Sequence, residues 1–115
     1  MAIGSQPTGV VRVARQVLST IVISTALQIP GVVSIAHPAQ FGDQWSRLLG
    51  RDAPRQGVAL TVKDNTVSAD LYIVVETGAN IVAVGTAVQE EVASAIEEMI
   101  GMQVQEVNVY IQDVA

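Results

Sequence analysis

The fold is decided by VALTVKDNTVSADLYIVVE, residues 58 to 76, in which apolar and polar residues alternate on both sides of a short polar break. Such alternation is typical of strands that bury one face and expose the other. Asp64 and Asn65 supply the residue types that favour a tight turn between two strands. The stretch therefore predicts a β-hairpin with one face in the core. The residues predicted on that face are Val58, Leu60, Val62, Val67, Ala69, Leu71, Ile73 and Val75.

Two helices are predicted around this hairpin, because apolar residues recur at helical spacing over residues 13–28 and again from 80 to about 100. Asn80 can cap the second helix, and Gly101 lies where a left-handed cap would end it. The first helix has no charge after Arg15, which indicates burial on several sides, in its own core or against a partner. The second helix is predicted to face inward with Val84, Val88, Val92, Ala95, Ile96 and Met99.

Shorter strands are predicted at residues 10–13, 32–36 and toward the C-terminus, where Val107, Val109 and Ile111 share one parity. Val104 has the opposite parity, so the last strand either starts after it or contains a bulge. The irregular middle, residues 37–56, carries apolar residues at helical spacing and is expected to hold a short amphipathic helix. These spaced residues are Phe41, Trp45, Leu48 and Leu49.

Together the elements predict an α+β two-layer sandwich, with two main helices on one face of a small three- to four-stranded, mostly antiparallel sheet. At 115 residues the chain fits a single domain, residues 10–115, preceded by a flexible leader, residues 1–9. The other face of the sheet is expected either to be exposed to solvent or to contact a partner. It would carry Thr66, Asp70, Tyr72, Asn108 and Tyr110.

Composition narrows the class of protein. Half of the residues are apolar, 15% are charged, the net charge is −5 and cysteine is absent. This balance disfavours nucleic acid as a partner and provides no disulfide framework or thiolate metal site. No apolar run reaches the roughly 20 residues that span a bilayer, and no signal peptide is evident. We expect a cytoplasmic chain without a membrane span.

The sequence contains no convincing catalytic constellation. His37 is the only histidine, so neither a zinc site nor a serine–histidine–acid triad can be argued from spacing. The glycines do not form a phosphate-binding loop. We therefore predict no enzyme activity, no cofactor, no metal and no catalytic residue. An enzyme or small-ligand binder with a pocket around Trp45 and His37 is the less favoured alternative.

Two groups of charged residues are candidate interaction surfaces. An acidic row follows one side of the second helix, where residues seven apart are separated by about 10 Å, too far to chelate one ion. A basic row spaced by four residues lies in the middle segment, where it either contacts a polyanion or is simply solvated. With the exposed sheet residues, the predicted surface is Arg47, Arg51, Arg55, Tyr72, Glu90, Glu91, Glu97, Glu98, Asn108 and Tyr110.

The C-terminal third, ANIVAVGTAVQEEVASAIEEMIGMQVQEVNVYIQDV, resembles the signature of the alkaline shock protein family of Gram-positive envelope stress-response proteins. The match comprises a V-Q-x-x-V-x-x-A-I-E-x-M helix, a glycine cap at Gly101 and a V-x-E-V-N-V strand. ADLYIVVETGANI and the opening VVRVARQVLSTIV with IPGV are also similar, so the resemblance covers about residues 10–114. The first helix departs from the pattern, since many members carry acidic residues there, and this predicts a more apolar contact.

The resemblance implies a non-enzymatic scaffold or adaptor. Members are cytoplasmic, lie next to the membrane through a membrane-anchored relative that carries the same domain, and in some cases self-associate. Self-association and docking to such a partner are therefore expected here. The alternative function is a nucleic-acid-binding or regulatory module, whose binding would weaken steeply with salt. That module would use Arg12, Arg15, Arg47, Arg51 and Arg55.

Overall fold

The computed structural model describes residues 12–36 and 57–115. In chain order they form α1 (Arg15–Leu27), β1 (Val32–Ile35), β2 (Val58–Lys63), β3 (Thr66–Val75), α2 (Ile81–Ala95) and β4 (Gln103–Val114). A single π-helical turn, Ile96–Ile100, extends α2. Both helices bury their inward stripes against one face of a four-stranded sheet. The predicted two-layer α+β sandwich is confirmed.

Strand β3 is the centre of the sheet. Strands β2 and β3 form the predicted antiparallel hairpin, in register from Val58 opposite Leu71 to Lys63 opposite Thr66. The turn between them is Asp64-Asn65, and Asp64 takes a left-handed φ of 57°, a conformation that aspartate tolerates better than most residues. Strand β1 is also antiparallel to β3 and continues along the same edge beyond β2.

Strands β1 and β2 together form one edge strand that is interrupted by residues 37–56. The amide of Ala36 donates to the carbonyl of Tyr72 over 2.7 Å, and the amide of Tyr72 donates to the carbonyl of Gly57 over 2.9 Å. The chain therefore leaves this edge and returns to it at the same residue of β3. Gly57 has a φ of +76°, which favours glycine.

Strand β4 is parallel to β3, on the opposite edge from β1 and β2. A parallel neighbour requires a crossover, which α2 provides. Val67 pairs with Val104 and Ser68 with Glu106, so one extra residue is accommodated at Gln105. The predicted bulge near Val104 is confirmed.

The core lies between the helices and the helix-facing side of the sheet. The residues predicted for this face of β3, which are Val67, Ala69, Leu71, Ile73 and Val75, are all completely buried. Helix α2 contributes Val84, Val88, Val92 and Ile96 to the same core. Its start is capped as predicted, because the Oδ1 atom of Asn80 accepts from the amide of Ala83 over 3.0 Å.

The prediction that Met99 faces inward is wrong, since 68% of its surface is exposed. The π-helical turn explains the difference. The amide of Gly101 donates to the carbonyl of Ile96, five residues earlier, and this wider turn changes which side chains face the sheet. Ile96 is buried and Ile100 packs at the edge of the core, whereas Met99 points away.

The predicted edge strand at residues 10–13 is wrong where it can be assessed. Arg12 and Val13 are not in a strand, and residues 10 and 11 lie outside the described ranges. Ala14 has an extended backbone, with φ −67° and ψ 146°, but it leads straight into α1. An extended segment without a neighbouring strand has no ladder to join.

Candidate interaction surfaces

The face of the sheet opposite the helices, here called the open face, carries matched side-chain pairs between β3 and β4. Tyr72 and Tyr110 are directly paired and stack, with ring centroids 4.8 Å apart and planes 13° from parallel. One rung away, the Nδ2 atom of Asn108 donates to the Oδ1 atom of Asp70 over 2.8 Å. Such cross-strand pairs fix the positions of both partners.

The same row continues to the bulge in β4. The hydroxyl of Ser68 donates to the Oε1 atom of Gln105 over 3.3 Å. Gln105, the extra residue of the bulge, thus points its side-chain amide toward β3, where the amide oxygen accepts this hydrogen bond. Three successive polar or aromatic contacts, centred on Tyr72, Asp70 and Ser68, therefore follow one line across the open face.

The expectation that both tyrosines are exposed is wrong for Tyr72. Only 4% of the surface of Tyr72 is accessible, against 43% for Tyr110. Tyr72 lies on the central strand, where Ala36 and Val74 form a small buried cluster with it. Tyr110 lies on the outer strand and leaves one side of its ring available. The open face thus combines a buried apolar centre with an accessible aromatic rim.

The surroundings of Tyr72 also affect its ionisation. Burial raises the pKa of Tyr72 above the ordinary value of 10.0, and the nearby Asp70 and Tyr110 raise it further. Each of these causes disfavours the phenolate, because removal from water and neighbouring negative charge both destabilise an anion. Tyr72 is thus a neutral phenol at physiological pH.

The acidic row on α2 and the turn after it has the predicted exposure. Glu90, Glu91, Glu97 and Glu98 are all exposed. The hydroxyl of Ser94 donates to the Oε1 atom of Glu98 over 3.3 Å. The part of the chain that the structure describes contains no group of three or more side chains able to hold a metal ion.

The helices are tied to the sheet by two polar contacts. A guanidinium nitrogen of Arg15 donates to the carbonyl of Leu60 in β2 over 2.6 Å. The Nε2 atom of Gln89 donates to the carbonyl of Val107 in β4 over 3.0 Å. These contacts hold α1 and α2 to the same face of the sheet, α1 at the edge formed by β2 and α2 at the edge formed by β4. Arg15, one of the five arginines of the nucleic-acid alternative, is engaged in this way.

Several predicted site residues fall on the part of the chain that the structure does not describe. Arg47, Arg51 and Arg55 lie outside the described ranges, as do His37 and Trp45. The basic row and the pocket around His37 therefore stay predictions. Within residues 12–36 and 57–115, no helix is both long enough and apolar enough to cross a membrane.

The structure is a small α+β domain with two distinct surfaces: the open face of the sheet, which carries the two stacked tyrosines, and the acidic row along α2. Residues 4–115 match the alkaline shock protein 23 family, which is described as having a cell envelope-related function. Because this match spans nearly the whole chain, the protein belongs to that family, and the resemblance inferred from the sequence is confirmed.

Relatives with similar sequences carry no activity in their names. The chain is 31% identical over 106 residues to the uncharacterized protein Spy1614 of Streptococcus pyogenes, covering 92% of this chain and 88% of the relative. It is 27% identical over 106 residues to the uncharacterized protein YloU of Bacillus subtilis, with the same shares covered.

A solved structure of the MamM CTD has a similar fold, with a TM-score of 0.53 at 14% identity. The similarity covers 87% of this chain and 99% of that chain. At this identity the likeness concerns the fold alone. It shows that a similar fold occurs in a protein whose sequence is largely different.

Proposed function

We propose that the chain is a non-enzymatic scaffold or adaptor of the envelope stress response on the cytoplasmic side of the membrane. It acts by associating with further copies of itself and by docking to a membrane-anchored protein of the same family. The description of the family as cell envelope-related supports a role at the cell envelope. The resemblance of the sequence to alkaline shock proteins is the reason for proposing a membrane-anchored partner of the same family.

The observation that carries the proposal is the open face of the sheet. Tyr110 is accessible, yet its position is fixed by stacking on the buried Tyr72. The Asn108–Asp70 hydrogen bond orders the neighbouring rung. An ordered, half-exposed aromatic beside satisfied polar groups suits a protein contact, because little side-chain entropy remains to be lost on binding.

The acidic row supplies the charge that would select the partner. The exposed acidic residues are Glu90 and Glu91 on α2 and Glu97 and Glu98 on the π-helical turn that extends it. Complementary charge accelerates encounter and suppresses wrong partners more than it adds affinity. We therefore assign the apolar part of the contact with the membrane-anchored partner to the open face, and selection of that partner to the α2 row.

The experiment is co-sedimentation of the purified chain with vesicles, with and without an inserted, membrane-anchored relative that carries the same domain. The proposal expects sedimentation only when the relative is present. It further expects weaker capture for Tyr110→Lys and for the Glu90→Lys/Glu97→Lys double variant. Glu76→Lys is the control for charge reversal, because Glu76 is an exposed carboxylate that directly follows β3 and is not part of the acidic row.

Two results would overturn the proposal. One is a chain that stays monomeric at high concentration and is not retained by the anchored relative. The other is direct binding to vesicles that carry no protein. If capture occurs and none of the surface variants weakens it, the assignment of these two surfaces is wrong while the adaptor function stands.

A further inference from the structure

Helix α1 presents two opposite rows of side chains. Its inward row, Leu18, Val22 and Ala26, is buried in the core. Its outward row, here called the α1 seam, consists of Val17, Thr20, Ser24 and Leu27, all of which are exposed. Val17 and Leu27 leave 47% and 46% of their surfaces in contact with solvent. The sequence suggested burial of α1 on several sides, but within the described residues one row is left uncovered.

The spacing of the α1 seam is the spacing that a second helix packs against. Its members are separated by three, four and three residues, as in the core positions of a two-stranded helical packing. A shallow depression beside the N-terminal half of this row is lined by Ala14, Gln16, Val17, Thr20 and Ile21. The spacing of the seam lets the ridge of another helix pack against it.

We propose that the α1 seam is the contact through which two copies of this chain associate, with their α1 helices antiparallel. The pattern of the seam reads the same in both directions, as an aliphatic residue, two hydroxyl residues and an aliphatic residue. Antiparallel pairing places Val17 opposite Leu27 of the second copy and Thr20 opposite its Ser24. A self-complementary surface of this kind generates a closed two-fold dimer.

Charge favours a second copy as the occupant. The chain has a net charge of −5, so two copies meet at the lowest electrostatic cost through a surface without carboxylates. Residues 16–28 contain no ionisable side chain, whereas the outward side of α2 carries the acidic row. The α1 seam is thus a face where two copies can meet without bringing negative charges together.

Thr20, one of the two hydroxyl residues of the seam, does not oppose its burial. The hydroxyl of Thr20 donates to the carbonyl of Gln16 in its own helix over 2.8 Å. A hydroxyl that is already satisfied within its helix can be covered by a partner without leaving a buried donor unpaired. The small side chains at the centre of the seam also allow the two helices to approach closely.

The size of the seam sets the strength of the contact. Helix α1 has 13 residues, which corresponds to a length of about 20 Å. Two helices of this length bury less than the roughly 1,200 Å² of a standard stable interface. The dimer is therefore weak and reversible, and it forms with rising concentration or when a partner gathers several copies.

The inference rests on the self-association in the proposed function, and sedimentation equilibrium of the full chain over a concentration series tests it. Thr20→Glu and Ser24→Lys each place a charge in the seam, and we expect each to raise the dimer Kd at least about tenfold. In the Thr20→Glu/Ser24→Lys double variant, antiparallel helices bring the introduced carboxylate of one copy against the introduced ammonium of the other, whereas parallel helices bring like charges together. We expect its Kd to return to within about threefold of wild type.

Thr86→Glu is the control, since Thr86 is an exposed threonine on α2 and receives the same charge outside the seam. It should leave the Kd unchanged, and circular dichroism checks that every variant is folded. The proposal is overturned if Thr86→Glu weakens association as much as Thr20→Glu, or if the double variant is no better than the single ones. If the dimer Kd is unchanged in every seam variant, this interface is wrong, while the adaptor function stands. A wild-type chain that never associates with itself removes this interface and the self-association of the proposed function, whereas docking to the anchored relative is decided separately by the co-sedimentation experiment.

Discussion

Gly57 lies so close to Ala36 that a β-carbon on Gly57 would be 2.2 Å from the carbonyl oxygen of Ala36. The same atom would lie 2.4 Å from the Cγ2 atom of Ile35. The two ends of the interrupted edge strand therefore meet without room for any side chain at position 57. This contact lets the chain leave β3 and rejoin it at one residue, Tyr72.

The first prediction concerns this close approach. Gly57→Ala should lower the free energy of unfolding by about 2–5 kcal/mol, because it combines an unfavourable positive φ with a clash against backbone. Gly78→Ala is the matched control: Gly78 also has a positive φ, of +91°, but nothing lies within 4 Å of the added carbon. Urea denaturation of both variants separates the clash from the φ penalty. Equal losses would show that the strand ends can separate at little cost.

The second prediction concerns the Asp70–Asn108 hydrogen bond on the open face. Asp70→Ala and Asn108→Ala should each destabilise the fold, since each leaves a half-buried polar group without its partner. The double variant should lose less than the sum of the single losses, with a coupling free energy of about 1–2 kcal/mol. Additive losses in chemical denaturation would mean that the bond does not hold β3 and β4 together.

The third prediction concerns alkaline pH. The pKa of Tyr72 is raised by burial, with further contributions from Asp70 and Tyr110, so the folded protein binds this proton more tightly than the unfolded chain. The associated stability is fully present below the ordinary pKa of 10.0. It is lost as pH rises through the higher folded pKa, by up to about 1.4 kcal/mol per pH unit.

Urea denaturation between pH 8 and pH 11 measures this loss. Tyr72→Phe should flatten the decline above pH 10, whatever its effect on stability at neutral pH. Tyr110→Phe retains Tyr72 and should keep a decline. A Tyr72→Phe variant whose stability falls as steeply as that of wild type would show that other groups cause the alkaline loss.

The main features of the fold could be predicted from the sequence because they depend on local periodicity. The alternation in residues 58–75 gave the hairpin and its core face, and the parity change near Val104 gave the bulge. The position of β4 beside β3 depends on a long-range pairing that no local pattern encodes. A strand reached through a helix is nevertheless the usual sign of a parallel neighbour.

The surfaces were harder to predict, because exposure depends on neighbouring elements. Tyr72 has the parity of a solvent-facing residue, yet only 4% of its surface is accessible, since the ring of Tyr110 stacks on it and Ala36 and Val74 form a buried cluster with it. Ile73, Val74 and Val75 form an uninterrupted apolar run, which is typical of a strand buried on both faces and was the available signal. The close contact at Gly57 arises with Ala36, 21 positions earlier in the chain, and leaves no trace in local sequence.

The fourth prediction uses the π-helical turn after α2, where the sequence pattern and the structure disagree. With α-helical geometry throughout, Met99 would face the core together with Ile96. In the structure Met99 is largely exposed and Ile96 is completely buried. Met99→Ala should therefore change the free energy of unfolding by no more than about 0.5 kcal/mol, whereas Ile96→Ala should cost about 2–5 kcal/mol through lost burial and a cavity. Urea denaturation of the two variants makes the comparison, and a loss of several kcal/mol for Met99→Ala would mean that the last turn is α-helical and that Met99 belongs to the core.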